Sequence, residues 1–274
     1  MRIASNPACR AIVGITPMQA RWRYLSFWVI QLQVGEGYDL LLGQQEAALV
    51  PLEGKGLARV GNQNFQLQRS NVFQELPHVL YIPPQCHLRV SAITALTFAI
   101  GCAPATGMFP LRLFAPAEMR IELRGGGPAW RQVNHILGPD LPAERLILYE
   151  VYTPSGFWSG WPPHRHDGRL GSPYFEEIYY YRIQPVTAQA IHWNYDPEEG
   201  CEAFFAVHDG DLVLVRQGYH PVAAPPGANV YYLNYLAGDP RGAERALPPV
   251  DDPTWAWIRK DWSGNPLILP IGGV

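Results

Sequence analysis

Charge is scarce in this chain: only 16% of its 274 residues are charged against 47% hydrophobic, and the formal net charge is −3. No basic run and no DNA-reading helix pattern is evident, so there is no electrostatic footprint for nucleic acid. No apolar stretch is long enough to cross a bilayer, and the start, Met1-Arg2-Ile3-Ala4-Ser5-Asn6-Pro7, lacks the apolar region of a signal peptide. Cysteine is sparse as well. Cys9, Cys86, Cys102 and Cys201 lie far apart without a C-x-x-C pair, which argues for reduced packing residues rather than disulfides or zinc ligands. The glycines of Arg124-Gly125-Gly126-Gly127-Pro128 precede no P-loop Lys-Ser/Thr and lack the G-x-G-x-x-G spacing, which excludes a phosphate-binding loop. These absences point to a cytoplasmic protein with neither a membrane nor a nucleic-acid partner.

Proline and glycine, by contrast, are plentiful at 27 and 26 residues, which with the apolar content predicts many short strands and turns. In the first half, strand signals cover residues 24–32, 47–52, 58–60, 79–82 and 88–100. Turn signals separate them at Gly35-Glu36-Gly37, Glu53-Gly54-Lys55-Gly56, Gly61-Asn62 and Pro83-Pro84. Residues 111–141 read as a connecting loop or ribbon, and strands resume at 146–152. The length suffices for two β-barrels, one over residues 1–115 and one over 116–274 with a tail. In that tail Trp255, Trp257 and Trp262 are expected to pack over a barrel or against a partner subunit, so a homo-oligomer is compatible with the sequence.

Chemistry concentrates in Pro162-Pro163-His164-Arg165-His166, which soon reaches Phe175-Glu176-Glu177-Ile178-Tyr179-Tyr180-Tyr181. Successive strand residues face opposite ways, so His164 and His166 share a face, and Glu177 joins them if its strand pairs in register. The same parity turns Glu176 away and Arg165 to solvent; a one-residue slip exchanges Glu176 and Glu177. Beyond an apolar strand and the turn glycine Gly218 comes His220. Three imidazoles and a carboxylate suit a first-row divalent metal, whether zinc, manganese, iron or nickel.

His-x-His, a glutamate on the next strand and a histidine after a glycine turn resemble the metal-ligand order of the cupin superfamily. That resemblance implies an all-β chain of two cupin barrels, each a double-stranded β-helix or jelly roll. In the first half, Glu46-Ala47-Ala48-Leu49-Val50-Pro51-Leu52-Glu53-Gly54 and Tyr81-Ile82-Pro83-Pro84-Gln85-Cys86-His87 resemble the two cupin motifs without a His-x-His, so that barrel is expected to carry a degenerate site. Residues 167–174 read as a loop inserted beside the intact site.

More specifically, residues 155–167, Glu176-Glu177-Ile178-Tyr179-Tyr180-Tyr181-Arg182, Gly218-Tyr219-His220-Pro221-Val222 and Tyr231-Tyr232-Leu233-Asn234 resemble the 5-deoxy-glucuronate isomerases of myo-inositol catabolism. So do Tyr24-Leu25-Ser26-Phe27 and Arg131-Gln132-Val133-Asn134, which extends the likeness over nearly the whole chain. The resemblance implies an aldose–ketose isomerisation of 5-deoxy-D-glucuronate to 5-dehydro-2-deoxy-D-gluconate. A metal held by His164, His166, Glu177 and His220 would then stabilise the charge that develops as a carbon-bound proton leaves. Candidates for moving the proton are Tyr179, Tyr181, Glu176 in the slipped register, or a metal-bound hydroxide. Arg131 and Arg182 are candidates for the substrate carboxylate, since an arginine fork pairs both oxygens, and Tyr232 for further sugar contact. Uronate isomerases acting on pectin-derived deoxy sugars share the metal pattern. An iron oxygenase or a non-catalytic sugar-binding bicupin are the other classes the ligands permit.

Overall fold

The computed structural model describes residues 1–4 and 11–264; Cys9 and the tail's end to Val274 lie outside the described residues. Strands dominate, as expected, and they form two barrels, each of two sheets. In the first, Gln45–Val60 pairs through its early half with Leu96–Pro104 and Val79–Ile82, and through its late half with Gln63–Arg69 and His87–Ala92. In the second, Phe175–Gln184 pairs with Asn229–Gly238 and Leu212–Val215, while Gln189–Asp196 pairs with Cys201–His208 and Val222–Ala223.

Two expectations about strand ends are corrected. Glu53–Gly56 is not a turn: the strand runs through it and bends at Gly54, where φ is +97° and the register shifts after Pro51. A Cβ on Gly54 would collide with the carbonyl of Ala95, so glycine is required where the strand passes from one sheet to the other. Conversely, 88–100 is broken into His87–Ala92 and Leu96–Pro104, and the amides of Ile93 and Thr94 donate to the Lys55 carbonyl at the break. The Gly61-Asn62 turn forms as read, closing a hairpin between Val60 and Gln63.

The connecting region holds more structure than a loop. Arg112–Phe114 pairs with Val79–Ile82 of the first barrel, and Arg120–Arg124 pairs with Arg131–Leu137 of the second, the glycines forming the hairpin turn between them. Strands of the second barrel therefore begin at Arg120, not near residue 146. Arg2–Ile3, expected in the first barrel, pairs with Leu212–Val215 in the second, and Arg2 Nε donates to Asp211.

Side-chain parity decides what each strand face covers. Ile178 and Tyr180 point out of the second barrel into a core shared with Phe27, Val29, Ala48 and Val50 of the first, while Tyr179, Tyr181 and Ile183 point into their own barrel. Both faces are thus buried, which explains three consecutive buried tyrosines. Between the barrels the rings of Phe27 and Tyr235 meet at 5.1 Å, edge to face.

The two barrels follow one plan, and each holds the other by the same device. Glu176 sends its carboxylate into the first barrel, where it accepts from the backbone amides of Arg23, Tyr24 and Leu25 at 2.6, 2.9 and 2.8 Å. Glu46, at the matching place in the first barrel, accepts from the amides of Glu144, Arg145 and Leu146 at 2.8, 2.6 and 2.8 Å. Glu176 is accordingly a clasp between barrels and not a catalytic group. Hydrogen bonds to charged acceptors contribute roughly 1.5–3 kcal/mol each, so Glu176→Gln is expected to lower stability by about 2–3 kcal/mol while the folded fraction keeps its turnover. Denaturant melts and kcat on the same preparation check this; a collapse of kcat at unchanged stability contradicts it.

Candidate metal centre and pocket

Within the second barrel the alternation of Phe175–Gln184 brings Glu177 inward, and its carboxylate meets two histidines from separate segments. His166 Nε2 lies 2.8 Å and His220 Nε2 3.3 Å from Glu177 Oε2. His166 Nδ1 faces the Phe175 carbonyl at 3.0 Å and His220 Nδ1 the Gly218 carbonyl at 3.1 Å. Each carbonyl accepts from an Nδ1–H, so Nε2 is the atom that both rings turn toward the carboxylate and the one placed to ligate an ion there. The ligand atoms of His166, Glu177 and His220 all lie within 4.8 Å of one another, and all three residues are buried. His164 stands outside this trio, but its ring is 4.9 Å from that of His220 and lines the same cavity.

The electrostatics suit a cation. Burial opposes the Glu177 charge, but the His166 and His220 imidazoles more than reverse that and bring its pKa down to about 2. Burial, then the imidazoles of His220 and His166, push His164 well below the ordinary histidine range, which leaves it neutral and able to ligate. His220 Nε2 is buried without a hydrogen-bond partner, a position that an ion at the centre of the trio satisfies. The donor set therefore fits a divalent metal.

Around these residues lies a cavity of 130 Å³. Tyr179, Tyr232, Asn234 and Arg131 line it, with Ile147, Phe175 and Leu236 forming an apolar wall. The Tyr179 hydroxyl has no hydrogen-bond partner among the described residues, and burial and the Glu177 charge raise its pKa well above the ordinary value. Tyr232 donates to Ser159 at 2.9 Å. Arg131 is 4% exposed, and among the described residues its guanidinium donates only to the carbonyls of Ala129 and Trp161, at 3.2 and 3.0 Å. Among the described residues no carboxylate pairs with it, and burial lowers its pKa to about 10. It remains a cation at neutral pH.

Three expectations are corrected here, two of them for residues expected at the cavity. Tyr181 sits behind Tyr179, hydrogen-bonded to His192 Nδ1 at 2.7 Å, and does not line the pocket. Arg182 points outward and pairs with Asp209 at 2.9 Å, so it is no carboxylate receptor. Arg165, expected at the surface, is fully buried among Asp167, Asp196 and Glu198. Sequence reasoning missed Tyr149, Arg124 and Arg245 on the cavity wall, and gave Asn234 no role. Asn234 was readable from Tyr232, since positions two apart on a strand share a face. Arg245 comes from a short 3-10 turn with no periodic signal.

In the first barrel the matching registers put Ala47 where the second has Glu177, and His87 where it has His220. His87 there is a partly exposed partner of Asp39. Only Leu42-Gly43-Gln44 joins Gly37–Leu41 to the next strand, whereas the second barrel spans residues 160–174 at that point, including both histidines of the His-x-His.

Similar proteins agree with this architecture. A 5-deoxy-glucuronate isomerase of Geobacillus thermodenitrificans (strain NG80-2) is 36% identical over 252 residues, 90% of each chain. One of Geobacillus kaustophilus (strain HTA426) is 37% identical over the same length and coverage. The crystal structure of an IolB-like protein from Salmonella typhimurium LT2 superposes with a TM-score of 0.89 at 33% identity, covering 94% of this chain and 99% of that one. Oxalate decarboxylase of Bacillus subtilis shares the two-cupin fold at 10% identity and a TM-score of 0.65, over 92% of this chain and 79% of its own. The KduI/IolB family model matches residues 2–258, and the chain belongs to that family.

Proposed function

We propose that this chain is a metal-dependent aldose–ketose isomerase that converts 5-deoxy-D-glucuronate to 5-dehydro-2-deoxy-D-gluconate, in myo-inositol catabolism and in the cytoplasm. One observation carries the reading beyond family membership: a buried arginine with no acidic partner among the described residues lines the same small cavity as His164, His166 and Glu177. A site that joins a metal-ligand set to an unpaired cation suits a small sugar acid. At 130 Å³ the cavity is well below the ~300–1,000 Å³ of drug-sized ligand sites, which favours a single open-chain monosaccharide over an oligosaccharide.

His166, Glu177 and His220 would hold the ion, with His164 beside them; zinc, manganese, iron and nickel all accept such a set. Bound there, the ion would supply Lewis acidity to the substrate oxygens that gain negative charge during the isomerisation. Arg131 takes the substrate carboxylate in a two-pronged ion pair and so fixes which carbons lie near the ligands. Tyr179, kept protonated by burial and by the Glu177 charge, donates a hydrogen bond to a substrate oxygen rather than removing a proton. Ile147, Phe175 and Leu236 keep bulk water from that side. Tyr232, tied to Ser159, offers an aromatic wall.

Proton NMR of purified protein mixed with 5-deoxy-D-glucuronate tests the reading. The ketose should accumulate without oxygen uptake. Conversion only of a pectin-derived deoxy uronate, or oxygen consumption instead, overturns it.

A further inference from the structure

The histidines of the site come from two separate parts of the chain, His164 and His166 from the segment after Pro163 and His220 from the turn after Val215. Between the first two histidines, Arg165 is fully buried and grips Asp167 with both prongs of its guanidinium, Nε to Oδ1 at 3.0 Å and Nη2 to Oδ2 at 2.7 Å. It also donates to Asp196 Oδ2 at 3.2 Å and to Glu198. Asp167 in turn accepts from the backbone amide of Gly218 at 2.8 Å, and the carbonyl of that same Gly218 faces His220 Nδ1. Gly218 is itself held: its φ is +76°, and a Cβ there would collide with the Tyr195 carbonyl. The Arg165 guanidinium also lies over the Tyr219 ring at 5.2 Å.

Resting on the metal-site reading above, we propose that Arg165 and Asp167 are positioning residues that lock the His164–His166 segment to the His220 turn and so set the spacing of the imidazoles. A buried ion cluster contributes little net stability, because desolvation offsets most of the attraction. Its geometric return is register. The planar fork fixes Asp167, Asp167 fixes Gly218, and Gly218 fixes the ring of His220. A lysine at the same place keeps the charge but cannot hold both oxygens of Asp167 in one plane.

The test loads wild-type protein, Arg165→Lys and Asp167→Asn with Co²⁺. It reads affinity by competition with a chromophoric chelator, coordination by the visible absorption bands, and folding of the metal-free proteins by thermal melts. Outer partners of metal ligands typically matter by 10–100-fold in affinity. Dissociation constants should therefore rise by about 10–100-fold in each folded variant, with shifted cobalt bands, and excess metal should recover much of kcat. Should Arg165→Lys fail to fold, Asp167→Asn decides alone. Unchanged affinity and an unchanged spectrum in a folded variant overturn the inference and leave the metal reading intact. A wild-type protein that takes up no cobalt overturns the metal reading, and the inference with it.

Discussion

Arg131→Met will leave bound metal unchanged and lower kcat/KM for the uronate by a factor between ~30 and several thousand. The range follows from the ~2–5 kcal/mol lost when one member of a buried charge pair is removed, at about 1.4 kcal/mol per decade. Most of the loss should fall on KM, because the carboxylate is not among the atoms that react and its contact is made in ground state and transition state alike. The metal-free variant should melt no lower than the wild type, since the guanidinium is buried without an acidic partner among the described residues and methionine fills similar space without a charge to desolvate. The other arginines of the cavity wall are poorer receptors: Arg124 is paired with Glu122 at 2.8 Å, and Arg245 donates to the carbonyls of Gly242, Leu146, Pro139 and Leu141. Steady-state kinetics alongside metal analysis checks the prediction. A variant with wild-type KM places the carboxylate elsewhere.

His220→Ala and His166→Ala should each remove stoichiometric metal and lower kcat by on the order of 10³-fold or more. A Lewis-acidic ion supplies several kcal/mol of charge stabilisation in the transition state, and each 1.36 kcal/mol is a decade of rate. Either change also leaves Glu177 with one imidazole neighbour fewer. Far-UV circular dichroism should not move, because the barrel core lies among Val133, Val151, Ile183, Val213 and Val230 rather than at the ligands. His164→Ala is the informative comparison, since His164 lines the cavity but stands outside the trio of close ligand atoms. Full metal occupancy and turnover in both His166→Ala and His220→Ala contradict the site.

Local pattern made much of this readable. The period of a strand put Glu177 inside and Glu176 outside, and the structure agrees residue by residue along Phe175–Gln184. What parity cannot say is what covers the outside. Outward from Phe175–Gln184 means into the other barrel, which is why Glu176 meets backbone amides and not water. Outward from His164–Arg165 means toward Asp196, Glu198 and the tail, whose Val250–Asp251 pairs with that short strand. Arg165 was therefore misjudged by a rule that holds only for an uncovered face. The unbroken strand through Glu53–Gly56 was hidden for a similar reason, since the bend at Gly54 answers to Ala95 some forty residues away. Tyr181 had the right parity but stands further along the same strand, where its hydroxyl meets His192 Nδ1 and it does not line the cavity.

The central claim is that the histidine–glutamate trio holds an ion on which turnover depends. One measurement tests it most directly: turnover of 5-deoxy-D-glucuronate by purified protein before chelation, after chelation and after readdition of zinc, manganese, iron or nickel, with metal content determined on the same samples. The account predicts turnover that falls with metal content and returns with at least one of these ions, at about one equivalent per chain. Turnover that persists at full rate in metal-free protein contradicts it.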